Sequence, residues 1–370
     1  MALFTDIGPE YPRAGRSKGW IGWSLLSFAF VGVTVIALSP APFVIEEPGP
    51  VYDTLGTVKV DGENVPLISI PLEETFPTEG SLAMLTVSVT GNRQNQPNWV
   101  EVATAYLDPS KAVLPIDQVY PEGVTVEQSN EQSRVDMENS QKEAIAAALR
   151  SLGHEFSSTL TVVESQAGGP ADGVLITGDI IESVNGMTFP DVGGLRDEIA
   201  SNGTDEPAEV AILRDGVQTV VEIVPELSEG DNPVPIFGIL VGSDYDFPFQ
   251  VKIQLENVGG PSAGMMFALG IIDKLTPGPI TGGADVAGTG TISATGEIGA
   301  IGGIRQKLYG ALGAGAEWFL APRSNCDEVT GHIPDGLTVF SVATLDDALA
   351  ALLAIESGAD TSKLPSCPAP

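Results

Sequence analysis

The hydrophobic pattern of the chain opens with one long stretch without a charge, which covers residues 21–38. At 1.5 Å per residue, a helix of about 20 apolar residues is long enough to cross a bilayer. Basic residues precede the stretch, and the positive-inside rule places such a flank in the cytoplasm. We therefore expect one N-terminal transmembrane helix at 20–39. It would make the protein a single-pass protein of the cell membrane, with residues 1–19 cytoplasmic and the chain after about residue 40 extracytoplasmic.

A basic stretch followed by an apolar one also describes a cleaved signal peptide. The apolar run is long for such a peptide, and Pro40, Pro42 and the bulky Phe43 disrupt the small-residue pattern of a cleavage site. The sequence favours a retained anchor, followed by a stiff, proline-rich spacer at 40–50.

Beyond the spacer, short apolar segments alternate with glycine and proline, a pattern typical of strands and turns in a mixed α/β or α+β fold. One segment differs, since apolar residues at 136–152 recur near one face of a helix. The pattern predicts strands at 57–60, 81–89, 249–255, 286–292, 297–301, 318–321 and 338–342, and helices at 192–201, 304–312 and 344–355.

The region 155–228 combines short strands with tight turns. The turn sequence GGPADG at 168–173 leads into VLITGDIIESVNG at 174–186, and a helix and a hairpin across Asp215-Gly216 follow. This order resembles the PDZ domains of bacterial extracytoplasmic proteases. Such domains capture an extended peptide by adding it as a strand to a sheet edge. The resemblance places the peptide-binding loop of this copy at Ser158, Thr159 and Leu160.

Composition narrows the classes of function. The 370 residues include 49 acidic and 17 basic side chains, for a formal net charge of −32. Phosphate binding needs clustered Lys and Arg, so nucleic acid is not an expected partner, and the acidity provides solubility. The two cysteines and two histidines have no zinc-type spacing, and we expect no metal and no cofactor. His154 and His332 are interpreted as surface or hydrogen-bonded polar groups.

The candidate chemistry lies in the segment GGPSAG at 259–264, in which Ser262 precedes an apolar helix. A serine hydroxyl is a poor nucleophile unless a base removes its proton. Lys307 stands among apolar residues, and burial favours the neutral amine that can act as that base. Ser262 and Lys307 are therefore the candidate catalytic pair.

The glycines and the proline of this segment suggest how an oxyanion could be stabilised. Pro261 suits the first turn of a helix, which would leave Ser262 beside free backbone N–H groups and the positive end of the helix dipole. We expect Gly259 and Gly260 to form the oxyanion and substrate-cleft backbone.

A glycine-flanked serine alone is better explained by a turn before a buried helix, with Lys307 as a solvated helix side chain. The wider sequence ADVAGTGTI at 284–292, with GEI and IGGIRQKL downstream, resembles the Lon-type (S16) serine protease domain. In that family the serine of GPSAG is the nucleophile and the lysine of the GGxxxK segment is its general base, which the resemblance carries to Ser262 and Lys307. It also implies that Thr289 supports the lysine through a hydrogen bond.

The resemblance covers about residues 245–355 and includes the helix at 136–152. It implies an α/β (α+β) Lon-type proteolytic domain with an inserted or preceding PDZ domain. Gly259 departs from the family pattern, because ATP-dependent members commonly carry an acidic residue there. No GxxxxGK[ST] sequence occurs, so we expect no nucleotide partner and an ATP-independent serine endopeptidase.

The whole arrangement resembles the membrane-anchored, PDZ-containing Lon-like proteases of Gram-positive bacteria. This implies cleavage of envelope or misfolded proteins, with the PDZ domain presenting or gating protein or peptide substrates, and a homo-oligomer in the form of a hexameric ring. The expected division of the chain is a cytoplasmic N-terminus at 1–19, an anchor at 20–39, a spacer and N-terminal part at 40–154, a PDZ domain at 155–228, a protease domain at 229–356 and a tail at 357–370.

Two other readings of the sequence remain open. An α/β-hydrolase would use Ser262 with Asp285 or Asp327 and His332, which occur in the chain order of that fold. A non-catalytic PDZ adaptor would instead use a degenerate protease fold as a scaffold. Separately, Cys326 and Cys367 could form a disulfide that ties the tail to the domain if the compartment is oxidising.

Overall fold

The computed structural model describes residues 19–60, 62–121, 123, 125–230, 233–255 and 258–367. The α-helices of these residues are α1 (Gly19–Ala37), α2 (Trp99–Tyr106), α3 (Ile116–Val119), α4 (Val126–Ser151), α5 (Val192–Asn202), α6 (Gly264–Leu275), α7 (Ile304–Gly313), α8 (Cys326–Val329) and α9 (Leu345–Glu356). Short 3-10 helices lie at Arg323–Asn325 and Thr361–Lys363.

The strands of the first half are β1 (Phe43–Asp53), β2 (Thr57–Val60), β3 (Glu63–Pro66), β4 (Ile68–Ser69), β5 (Ser81–Thr90), β6 (Ala112–Pro115), β7 (Ser158–Ser165) and β8 (Ile180–Val184). Those of the second half are β9 (Ala208–Arg214), β10 (Val217–Ile223), β11 (Glu226–Leu227), β12 (Pro235–Ile236), β13 (Ile239–Tyr245), β14 (Lys252–Ile253), β15 (Asp285–Gly288), β16 (Thr291–Ile292), β17 (Ile298–Gly299), β18 (Trp318–Pro322) and β19 (Thr338–Val342).

A six-stranded sheet of order β19-β18-β15-β5-β1-β6 organises the first body. The strands from β19 to β5 run parallel to one another, whereas β1 pairs antiparallel with both β5 and β6. Side chains alternate across the sheet, so that Leu82 and Met84 of β5 pack with α4, α6 and α9 while Ala83 and Leu85 pack on the opposite face with α7. Burial on both faces explains why these strands read as continuous apolar runs.

The second body is a five-stranded antiparallel sheet of order β10-β9-β8-β7-β13, with its own apolar core against α5. Its hairpin turn is formed by Asp215 and Gly216, both with positive φ (51° and 78°), as a two-residue turn between twisted strands requires. The chain enters this sheet after α4 and leaves it before α6. Since α4 and α6 pack together in the core of the first body, the second body is an insertion within the first.

The prediction of a transmembrane anchor at 20–39 is wrong. A helix, α1, does occupy this stretch, but no helix in the part of the chain that the structure describes is long and apolar enough to cross a membrane. The same finding overturns the expected single-pass topology. Residues 1–18 of the predicted cytoplasmic segment lie outside the described residues.

Two further expectations are corrected by strand pairing. The predicted spacer at 40–50 is largely β1, which lies between β5 and β6 because its apolar residues, among them the buried Val44, complete the sheet. The region after 228, expected to belong to the protease domain, supplies β13, which pairs with β7 and closes one side of the second sheet.

Candidate active site

Ser262 lies in a turn immediately before α6. Gly260 has a φ of +82°, which glycine adopts without strain, and it turns the chain into the segment that carries the serine. The helix begins at Gly264 with Ala263 as its N-cap. The sequence predicted Pro261 in the first turn, but Pro261 lies before that turn. Ser262 still lies at the positive end of a helix whose residues from Gly264 to Asp273 are all buried, which holds the serine on a rigid element.

Helix α4 contacts one side of the segment 259–263, which is called the serine segment below. Ser140 Oγ donates a hydrogen bond to the carbonyl oxygen of Pro261 at 2.8 Å, and the N–H of Gly260 donates to the carbonyl oxygen of Ser133 at 2.9 Å. The helix also leaves no room for a side chain at 259, since a Cβ there would lie 2.8 Å from Ser133 Cβ. Close packing against Ser133 therefore explains why a glycine occupies position 259.

Lys307 reaches the serine from α7 on the other side of the cleft. The preceding Gly303 is the N-cap of α7, with a φ of +69°, and a Cβ there would lie 2.7 Å from Val87 Cγ2 of β5. This close approach of α7 to the sheet buries the lysine, whose side chain is 2% exposed. Lys307 Nζ donates a hydrogen bond to Ser262 Oγ at 2.8 Å.

Thr289, which follows β15, connects the two residues. Its hydroxyl accepts a hydrogen bond from Lys307 Nζ at 2.9 Å and donates one to the carbonyl oxygen of Ser262, also at 2.9 Å. The N–H of Gly290 donates to the same carbonyl oxygen at 2.9 Å. Thr289 is fully buried, so the lysine amine and the serine backbone are both fixed by one side chain.

The electrostatic surroundings favour a neutral lysine. Burial lowers the pKa of Lys307 to about 7, and the negative charge of Glu46 on β1 opposes that shift. Burial also raises the pKa of Glu46, which the charge of Lys307 opposes. With a pKa of about 7, about half of the Lys307 amines are unprotonated at neutral pH, the form that can accept a proton.

A groove of about 420 Å³ opens onto this pair. Its walls include Gly259 and Gly260, Met137 of α4 and the β5 segment 84–88. β15 pairs with β5 only as far as Met84, and no strand of the described residues pairs with that edge of β5 beyond it. The groove therefore runs beside an open strand edge next to Ser262.

The site combines a glycine-flanked serine, a buried lysine bonded to it and a threonine bonded to both. This is the combination that the resemblance to the Lon-type protease domain predicts. Residues 257–355 match the Lon protease (S16) C-terminal proteolytic domain. Among curated proteins, the chain is 35% identical over 114 residues to the Lon protease of Geobacter metallireducens, covering 30% of this chain and 14% of that protein. It is 30% identical over 196 residues to the Lon protease of Campylobacter concisus, covering 46% and 24%. The chain thus spans less than a quarter of the length of these relatives, and the matches support a serine peptidase of the S16 type.

Two PDZ domains of known structure are similar to part of the chain. The PDZ domain of an SdrC-like protein from Listeria innocua is 24% identical, with 22% of this chain and 92% of that chain covered, at a TM-score of 0.20. The corresponding domain from Listeria monocytogenes is 22% identical, with 22% and 85% covered, at the same TM-score.

The structure brings together Ser262, Lys307 and Thr289. The sequence predicted that Gly259 and Gly260 form the oxyanion and substrate-cleft backbone. Both line the groove, but the N–H of Gly260 is already donated to Ser133 and is not free for an oxyanion. The alternative hydrolase residues lie elsewhere, since the groove lining includes no histidine and Asp285 accepts a hydrogen bond from Ser81 at the opposite end of β15.

The predicted peptide-binding residues of the second sheet do not form a loop. Ser158, Thr159 and Leu160 lie in β7 and pair with residues 243–245 of β13. Because these residues pair with β13, the edge on that side of the sheet is β13 instead of β7. The sequence could not reveal this, because β13 comes about 80 residues later in the chain and joins the sheet only through tertiary pairing.

Cys326 and Cys367 are joined by a disulfide that ties the C-terminal segment to α8. Beside it, Asn325 accepts a hydrogen bond from the N–H of Ile301 and donates one to its carbonyl oxygen, both at 2.9 Å, and so fixes the segment that leads into α7. Among the residues that the structure describes, no group of His, Cys, Asp or Glu side chains is placed to hold a metal ion.

Sequence reasoning missed two α4 residues: Ser140, which holds the carbonyl of Pro261 beside the site, and Asn139, which bonds to β13 of the second sheet. Both are buried polar residues of α4, and Ser140 lies on the same helix face as the buried Met137 and Ala144. A polar residue in a buried helix face needs a hydrogen-bond partner, and this is the signal that could have identified them.

Proposed function

We propose that this protein is an ATP-independent serine endopeptidase in which Ser262 is the nucleophile and Lys307 is the general base. The observation that carries the proposal is the 2.8 Å hydrogen bond between Lys307 Nζ and Ser262 Oγ. It occurs where burial brings the pKa of the lysine to about 7. A base must lie within hydrogen-bond reach of the proton it removes and have a pKa near the working pH, and Lys307 meets both conditions.

The reaction follows from this geometry. The neutral Lys307 amine accepts the Ser262 proton as Oγ attacks the substrate carbonyl carbon, which gives a tetrahedral oxyanion. Collapse of this intermediate breaks the C–N bond, and the Lys307 ammonium returns its proton to the leaving amine. A water molecule, deprotonated by the same amine, then attacks the ester carbonyl of the acyl-enzyme. The bond to Ser262 Oγ breaks, and the Lys307 ammonium returns the proton to Oγ, which restores the serine and the neutral amine. None of these steps uses a nucleotide.

The substrate class follows from the groove. The open edge of β5 along 85–90 presents backbone groups beside Ser262, and an extended peptide can pair with them as an added strand. A folded protein does not present such a strand, so we propose unfolded or misfolded polypeptides as substrates. The second sheet, with its edge strand β13 next to α5, would present or gate these chains.

The activity is tested by cleavage of a permanently unfolded protein, such as reduced and carboxymethylated lactalbumin. We expect cleavage without ATP, no acceleration by ATP, and loss of activity in Ser262→Ala and Lys307→Ala. His332→Ala should retain activity, since no histidine lines the groove. If the folded wild-type protein leaves the unfolded chain intact and does not react with a fluorophosphonate probe, the non-catalytic adaptor is favoured instead.

Resemblance to Lon-type proteases also supports a hexameric ring as the proposed assembly. Light scattering coupled to size-exclusion chromatography measures the mass directly. A mass of one protomer, 38.4 kDa, across the working concentration range would contradict the ring.

A further inference from the structure

The outer edge of the second sheet is occupied by the chain itself. β13 is the last strand of that sheet and pairs with β7 on one side only. On its other side, Asn139 of α4 donates a hydrogen bond from Nδ2 to the carbonyl oxygen of Val241 at 2.7 Å, and its Oδ1 accepts one from the N–H of Ser243 at 3.0 Å. One side-chain amide therefore takes a donor and an acceptor that an added strand would use.

This contact is part of a wider docking surface between α4 and the sheet. Asn139 is 8% exposed, and Lys142, on the next turn of α4, forms an ion pair with Asp244 of β13. At the start of α5, the carboxylate of Asp191 accepts a hydrogen bond from the N–H of Ala294 in the first body at 2.8 Å. These contacts hold the sheet against α4 with its β13 edge closed.

Helix α4 itself is not free to move away. Ala144, Ala148 and Leu149 are fully buried in the core of the first body, and Ser140, adjacent to Asn139, holds the carbonyl of Pro261. The second sheet is joined to the first body by the connections at 152–157 and 246–251. Opening of the edge therefore requires the sheet to separate from α4, which breaks the hydrogen bonds of Asn139 and Asp191 and the ion pair of Lys142. The buried cores of the two bodies share no residue, so neither core is divided by this separation.

We propose that Asn139 is an internal competitor that closes the β13 edge against extended peptides, so that peptide binding there requires the second sheet to undock from α4. The proposal rests on the peptide-capturing role of the second sheet in the proposed function and adds how that capture is regulated. Because only the undocked fraction can bind, the apparent affinity for peptide is reduced by that fraction. Separation at this surface leaves the bonds between α4 and the serine segment in place, so Ser262 reactivity is independent of edge occupancy.

The test measures binding of fluorescently labelled, reduced and carboxymethylated lactalbumin by anisotropy, in a Ser262→Ala background that prevents cleavage. Asn139→Ala removes both hydrogen bonds, and Asn139→Asp has the same size but cannot donate to Val241. Gln132→Ala is the matched control, since Gln132 is exposed on the same helix and bonds only to Asp136 within it. We expect both Asn139 variants to bind about tenfold tighter or more, and the control to bind like the parent.

The position of the bound chain is measured by hydrogen exchange. In Asn139→Asp, the lactalbumin probe should protect amides at 239–245, because the added strand bonds to that edge. Unchanged or weaker binding in both Asn139 variants, no binding by any protein, an equal gain in the control, or protection confined to other strands would each overturn the proposal. With Ser262 present, fluorophosphonate labelling of Asn139→Asp should match wild type. Absence of labelling in wild type would refute the proposed function and leave the binding result intact.

Discussion

Gly259 lies so close to Ser133 of α4 that a Cβ at position 259 would be 2.8 Å from Ser133 Cβ, a distance that real Cβ atoms do not tolerate. The backbone of the serine segment therefore packs directly against α4. We expect Gly259→Ala to displace the segment that carries Ser262, with a fall in kcat of about tenfold or more, because small misplacements of reacting groups are costly.

A second substitution, at Ser133, removes the steric clash that Gly259→Ala would create. Ser133→Gly takes away the Cβ that Gly259→Ala would meet, so the double variant should recover much of the lost activity relative to Gly259→Ala alone. A double-mutant cycle on peptidase activity measures this coupling. Full activity in Gly259→Ala itself would show that the contact does not position the serine.

The pH dependence of the peptidase should follow Lys307. Burial lowers its pKa from 10.5 to about 7, and only the neutral amine acts as base. We expect kcat/KM to rise with pH, with a midpoint near 7, and then to reach a plateau. The same shift acts on stability: the unfolded lysine binds a proton that the folded one has released, so the free energy of unfolding should rise with pH between about 7 and 10.5.

Thermal unfolding of Lys307→Met across that pH window provides the control, since this variant should lack that contribution to the rise. A pH–rate profile that is flat from pH 6 to 9 would contradict the role of Lys307 as the base.

Glu46 sets how far the lysine pKa falls. Its negative charge raises the pKa of Lys307, which burial lowers. Glu46→Gln should therefore move the midpoint of the pH–rate profile to lower pH. Glu47→Gln is the matched control, because Glu47 pairs with Lys111 instead. A shift to higher pH, or equal shifts in both variants, would refute this electrostatic link.

Thr289 holds both members of the pair, so its loss should affect catalysis more than substrate binding. Thr289→Val keeps the shape but removes the hydroxyl bonded to Lys307 Nζ and to the Ser262 carbonyl. We expect kcat to fall by about tenfold or more with little change in KM, and Thr289→Ser to restore most of it, since the hydroxyl returns. A rise in KM with kcat unchanged would indicate that Thr289 contacts the substrate instead.

The disulfide between Cys326 and Cys367 closes a long loop, with a sequence separation of 41. Restricting such a loop in the unfolded chain stabilises a protein by about 4 kcal/mol. Full reduction should lower the Tm by about 5 to 10 °C. Cys367→Ser should have a comparably reduced Tm that no longer responds to reductant. A Tm unaffected by reduction, with both thiols shown to be free by alkylation, would contradict a stabilising role.

The sequence predicted the local elements well where one residue type enforces the conformation. Asp215 and Gly216 specify a hairpin turn, and the apolar face of 136–152 specifies a helix, which in the structure begins earlier, at Val126. The spacer at 40–50 was mispredicted because proline was taken as a sign of extended, isolated chain. Its apolar residues instead complete a sheet whose partners, β5 and β6, are distant in sequence.

The sequence by itself determined the chemistry of this protein: a serine between glycines, a lysine among apolar residues and a threonine in a family-specific segment. These are local features, and their order along the chain is what carries the resemblance to the Lon-type protease domain. Only the tertiary structure decided what surrounds them. Contacts between distant segments decide which helix holds the serine segment, which carboxylate faces the lysine and which strand forms the edge of the second sheet. Local periodicity carries no information on such contacts, because they are selected by how whole faces pack together.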